Sequence, residues 1–151
     1  MKRMFAWVVL NLFLVGMLGC HSKTVSVSGK VVFDGEPGQN ICVLFQADSA
    51  VNPSLEAATG MTNDRGEFFL SLISNSRKGV MPGEYVVYIS WKDPNAAKEP
   101  VEGETIANPC RYKIPTRATS GQMRFTVPPQ GTREADFIFD SSKETPEQQG
   151  V

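Results

Sequence analysis

One histidine in 151 residues removes most of the chemistry that proteins perform with imidazole. That residue, His21, stands beside an N-terminal apolar run, so no histidine is left inside the rest of the chain as a general base or zinc ligand. Ser-His-Asp and Cys-His catalysis fail for the same reason. Basic runs are missing too: 15 Lys and Arg face 16 Asp and Glu with no long cluster, and a nucleic-acid backbone requires clustered cations. Nucleic acid is therefore not an expected partner. Two carboxylates about 5 to 10 Å apart would suffice for a glycosidase, yet the spacing of Glu67, Glu84, Asp93, Glu102 and Asp136 selects no pair. Asn63 and Asp64 lack the spacing of an EF-hand and read as a hairpin turn. No catalytic residue, metal site or cofactor is expected, and a carboxylate-based hydrolase is the weakest functional reading.

What the chain does have begins at its N-terminus. Lys2 and Arg3 precede an apolar stretch at residues 4–18, broken only by Asn11, in the layout of a secretory signal helix. At 15 residues the stretch falls short of the roughly 20 that cross a ~30 Å hydrocarbon core. Met17-Leu18-Gly19-Cys20 resembles the lipobox of bacterial lipoproteins, with Met17 in place of the usual Leu. The resemblance implies acylation of Cys20, by palmitate or a similar chain, and removal of residues 1–19. Two or three chains at ~0.8 kcal/mol per buried methylene anchor stably where one does not. Ordinary secretory cleavage with Cys20 left as a thiol, or an uncleaved anchor, are the alternatives. His21 is not the Asp that retains many such proteins in the inner membrane, which favours the outer membrane. Loss of the leader takes the formal charge from −1 to −3 and leaves 132 residues, enough for one domain with a core.

Beyond the leader, apolar residues recur with period two and never sustain a helical repeat, which predicts half-buried strands. Val25, Val27, Gly29, Val31 and Phe33 form the first inward face. Asp34-Gly35-Glu36-Pro37-Gly38 turns the chain, and Ile41, Val43 and Phe45 form the second face. A weaker strand is expected over 56–62, then a turn at Asn63-Asp64-Arg65-Gly66 and an inward face of Phe68, Leu70 and Leu72. Tyr85, Val87, Ile89 and Trp91 alternate with a second largely apolar set, as expected of a strand flanked on both sides. Residues 92–105 form a long, exposed polar loop, read first as a solvated insertion and otherwise as a candidate binding surface on a rigid scaffold. A short extended element surrounds Arg111 and Tyr112, and Met123, Phe125 and Val127 then Ala135, Phe137 and Phe139 supply the last strands. About seven short strands joined by turns predict an all-β antiparallel sandwich over 24–140, after a tether at 20–23 and before a disordered tail at 141–151.

In an oxidising compartment Cys42 and Cys110 are able to pair. Cys42 lies between the inward Ile41 and Val43, so its side chain points to the other face, and two unpaired thiols are the preferred reading. Tyr88, Trp91 and Tyr112 are the aromatics that could stack on a sugar.

Three stretches in order, from Ser28-Gly29-Lys30-Val31 to Val43-Leu44-Phe45, then Thr62-Asn63-Asp64-Arg65-Gly66-Glu67-Phe68, then Pro82-Gly83-Glu84-Tyr85-Val86-Val87, resemble the carboxypeptidase regulatory-like domain. Arg111-Tyr112, Thr119-Ser120-Gly121 and Asp136-Phe137-Ile138-Phe139 are similar to small exported lipoproteins of planctomycete bacteria. The resemblance implies a Greek-key, transthyretin-like (prealbumin-like) sandwich in which Tyr85 plugs one end of the core. The histidines and C-terminal Tyr-Arg-Gly-Ser of the transthyretin-like hydrolases are absent. The expectation is a membrane-anchored lipoprotein of the cell envelope whose sandwich binds protein or serves assembly without catalysis. A carbohydrate-binding module is the alternative, which makes an envelope protein or polysaccharide the expected partner.

Overall fold

Gly29, Val31 and Phe33 of strand β1 (Ser28–Phe33) turn inward and are buried, while Lys30 between them is exposed. This is the consequence of a pleat with one dry face. The computed structural model describes residues 24–48, 52–93 and 110–143. The leader, Cys20, His21, the tether, Glu102, most of the polar loop and residues 144–151 lie outside them. Asp34 and Gly35 both hold positive φ, 50° and 84°, the geometry of a two-residue turn whose twist suits a hairpin. It returns the chain as β2 (Glu36–Pro37), antiparallel to β1.

β3 (Ile41–Ala47) buries Ile41, Val43 and Phe45 and pairs antiparallel with β4 (Ala58–Met61). Thr62 ends β4. Its Oγ1 accepts the Ile41 N–H at 2.8 Å and its own N–H donates to Ile41 O at 2.9 Å, so this buried hydroxyl substitutes for a ladder partner. Asn63 Oδ1 then accepts the N–H groups of Arg65 and Glu67, each at 2.9 Å, and Gly66 takes φ +73°. That is the Asx geometry expected of the turn.

The turn does not close a simple hairpin. β5 (Glu67–Phe69) pairs with β1, whereas β6 (Ser71–Leu72) pairs with β4. The stretch read from sequence as one strand therefore crosses from one sheet to the other at Leu70. A Cβ on Gly60 would stand 2.5 Å from Phe69 O, so glycine lets the two sheets meet at this corner. The expected third strand is shorter than its span, 58–61 rather than 56–62.

β7 (Gly83–Trp91) runs between β3 and β8 (Met123–Val127), antiparallel to both. β8 begins opposite Val87 and ends opposite Gly83, and a single helical turn, α1 (Thr116–Thr119), lies against β7. The last strand, β9 (Phe137–Phe139), runs parallel to β1, the one departure from antiparallel pairing among the named strands. Gly29 makes that approach feasible, since a Cβ there would lie 2.1 Å from Ala135 O.

The result is a β-sandwich of two sheets. In one, β1 is central: Val31 N–H donates to Gly66 O on the side of β5 and β2, while Ser28 and Asp34 N–H donate to Thr132 O and Phe139 O on the side of β9. The other has the order β6-β4-β3-β7-β8. Between them the Phe45 ring packs against Tyr85, Phe125 and Phe137 at centroid distances of 5.7, 5.4 and 6.3 Å. Phe68 stacks on Phe137 at 6.1 Å. Aromatic pairs of this kind add about 0.5 to 1.5 kcal/mol each beyond their buried area.

Candidate functional site

The N-terminal segment 24–27 is laid into the domain by backbone contacts. Val25 N–H donates to Val80 O at 2.8 Å, Val80 N–H returns to Val25 O at 2.9 Å, and Leu70 N–H donates to Val27 O at 3.0 Å. Two glycines admit the segment so closely. A Cβ on Gly79 would stand 2.8 Å from Val25 O, and one on Gly131 2.3 Å from Ser26 O, with φ +101° and +77° at the two positions. Both backbones occupy the region that L side chains avoid.

Beside this segment lies a groove of about 360 Å³, lined by residues 24–27, 69–71 and 78–79. Phe69 on its rim is 69 % exposed. Among the described residues Lys78 is the one charged side chain in the lining. Phe69 follows the buried Phe68 and precedes the buried Leu70, so the pleat aims its ring outward. That was the available signal: an aromatic in the outward register of a strand, between two inward apolar residues. The reading of exposed aromatics from sequence passed over it.

The three aromatics named from sequence do not share a surface. Trp91 has the parity of the buried Tyr85, Val87 and Ile89 and packs on the core, whereas Tyr88 points to the opposite face of β7. A Cβ on Gly121 would come 2.6 Å from the Tyr88 hydroxyl, so the loop after α1 lies over that phenol. Tyr112 is 9 % exposed. Its hydroxyl accepts the Gln39 N–H at 2.8 Å and Arg111 Nη2 at 2.6 Å, and donates to Pro37 O at 3.1 Å. Its ring stacks on Phe33 at 4.9 Å, and Phe33 on Phe139 at 5.1 Å. The Arg111 guanidinium lies 4.8 Å over Tyr112, and that of Arg117 lies 5.5 Å over Phe139. Three rings are thus closed at both ends by cations.

Cys42 and Cys110 are free thiols. Cys42 Sγ lies 3.4 Å from Thr59 Oγ1 on the outer face of β3, and Cys110 donates to Tyr112 O at 3.4 Å.

The acids are dispersed. Glu67 lies 3.5 Å from Lys30 Nζ and accepts Asn63 Nδ2 at 3.3 Å, an arrangement that lowers its pKa, chiefly through the Asn63 hydrogen bond. Asp136 accepts the Lys30 N–H at 2.9 Å, and Glu84 is exposed on β7. Hydrogen bonds from Ser142, with Lys143 beside it, hold Asp140 down at about 2, and the same turn is tied to the domain by Ser141 N–H on Asp34 Oδ1 at 2.7 Å. Among the described residues no three His, Cys, Asp or Glu gather as a metal site. No helix among them is long and apolar enough to cross a membrane.

The chain matches no protein-family model, no curated protein and no solved structure.

Proposed function

We propose that this protein is a lipid-anchored module of the cell envelope, held through Cys20 after loss of residues 1–19, whose sandwich binds protein or serves assembly without catalysis. The observation that carries this reading is the adjacency of anchor and domain. The backbone of Val25 is already locked to Val80, five positions after the lipobox cysteine. A leader that ends where a folded domain begins behaves as a detachable address and tether rather than as part of the core.

The binding role draws on surface rather than on a reactive cleft. Among the described strands β8 pairs only with β7, and β9 only with β1, so each presents an edge to which another chain can add. Ile138 on β9 is 68 % exposed. The similarity to carboxypeptidase regulatory-like domains and to planctomycete lipoproteins points the same way, and the outer membrane is the favoured site. Carbohydrate binding through Tyr88, Trp91 and Tyr112 has less support, because these rings offer no common platform.

Fractionation of the native host tests the anchor. The unsubstituted protein partitions with membranes, and Cys20→Ser releases it or leaves the precursor uncleaved. Equal, carbonate-extractable recovery of both forms in the soluble exported fraction contradicts the reading.

A further inference from the structure

Residues 21–23 separate the proposed acylated Cys20 from Thr24, four backbone steps in all. A fully extended chain of that length reaches only about 14 Å, at roughly 3.5 Å per residue. Thr24 lines the groove, and the next residue is bridged to Val80. The groove is therefore held within that short reach of whatever holds Cys20. On the reading given above, which this inference rests on, what holds Cys20 is the bilayer.

The side chains at this end suit a headgroup layer. Phe69 is 69 % exposed although it belongs to a strand whose other face is core. An aromatic ring at a membrane boundary gains the burial that water denies it. Lys78 carries its charge on a flexible stem that reaches phosphate while its methylenes lie along apolar surface. Among the described residues no acid stands in the groove lining to compete for it. A cation near an anionic leaflet is drawn to it by the surface potential.

We propose that the end of the sandwich formed by segments 24–27, 69–71 and 78–79 is a bilayer-contact surface. Phe69 enters the boundary between headgroups and acyl chains, and Lys78 pairs with anionic lipid phosphate. The domain then lies on the membrane in one orientation instead of swinging on its tether. β1 runs from this end to the turn at Asp34 and Gly35, and β5 starts beside the Asn63 to Gly66 turn. Those turns sit at the far pole, which faces away from the lipid and toward partners.

The test uses the full chain, expressed with its leader, purified from membranes and reconstituted into vesicles of phosphatidylethanolamine and phosphatidylglycerol with brominated or unbrominated acyl chains. Phe69→Trp and, as a second reporter on the same rim, Ser26→Trp are compared with the unsubstituted protein, whose mature indole is Trp91 at the far end of β7. A ring seated about 5 to 10 Å into the boundary loses at least about half of its emission to bromine, whereas Trp91 keeps its own. Lys78→Glu in the Phe69→Trp background reduces that quenching. Equal emission from both reporters in the two vesicle types, on protein whose intact mass includes the acyl chains, overturns the contact surface and leaves the anchor standing. An intact mass without acyl chains overturns both.

Discussion

The Tyr112 hydroxyl accepts the backbone N–H of Gln39 at 2.8 Å, across 73 positions of sequence. The same oxygen donates to Pro37 O, so one phenol holds the end of β2 and the middle of the three-residue link to β3. Its ring meanwhile extends the Phe33 and Phe139 stack. An aromatic that looked from sequence like a ligand platform thus works as a clasp.

Tyr112→Phe is expected to keep the stack and lose the clasp. It leaves the Gln39 N–H without its acceptor, at a cost of about 1 to 2 kcal/mol. Urea unfolding checks this: the midpoint falls while the slope, which follows the surface exposed on unfolding, stays constant.

Phe137 touches Phe45, Phe68 and Phe125, although it comes from a strand of three residues. Phe137→Ala is expected to cost about 3 to 5 kcal/mol, from lost transfer energy and the cavity left between the sheets. A substitution on the opposite face of the same strand, Ile138→Thr, should shift stability by less than about 0.5 kcal/mol. Calorimetric midpoints of the two variants separate these outcomes.

Two of the shifted groups, Tyr85 and Asp140, make the stability of the fold depend on pH at its alkaline and acid ends. Burial, with the Glu56 charge nearby, pushes Tyr85 from 10.0 to about 12. Its contribution is complete below pH 10 and is lost as pH rises through 12, because the unfolded phenol ionises first. Asp140, held at about 2 against the usual 3.8, acts at the other limit. Its contribution is present above 3.8 and is lost as pH falls through 2. Ultraviolet titration of the tyrosinate band checks the first, with Tyr85→Phe removing the latest step. Acid unfolding of Asp140→Asn checks the second, since that variant should lose the acid-dependent component.

Both thiols are expected to alkylate without reductant, Cys110 faster because it is exposed while Cys42 is half-buried beside Thr59. Peptide mass spectrometry under non-reducing conditions reads this directly. A linked Cys42 and Cys110 peptide pair would contradict it.

Much of the sandwich was legible because its cause is local. The alternation of Val31 and Phe33, of Ile41, Val43 and Phe45, and of Tyr85, Val87 and Ile89 names the buried face of three strands. Asp34 with Gly35, and Asn63 with Gly66, announce their turns through backbone preferences. What was hidden depends on partners distant in sequence. Nothing around Phe137 states that β9 lies parallel to β1, and nothing around Leu70 states that the chain changes sheets there. α1 is one turn long, too short for a 3.6-residue pattern to register. The groove escaped because its walls come from three separate segments, and Phe69 alone carried a local sign of it.

The fate of Cys20 decides whether the domain is held at the membrane. Mass spectrometry of the mature N-terminus from the native membrane fraction tests it most directly. The expected result is a peptide that begins at Cys20 and carries acyl chains. An unmodified N-terminus at another position, or an intact Met1, would contradict it.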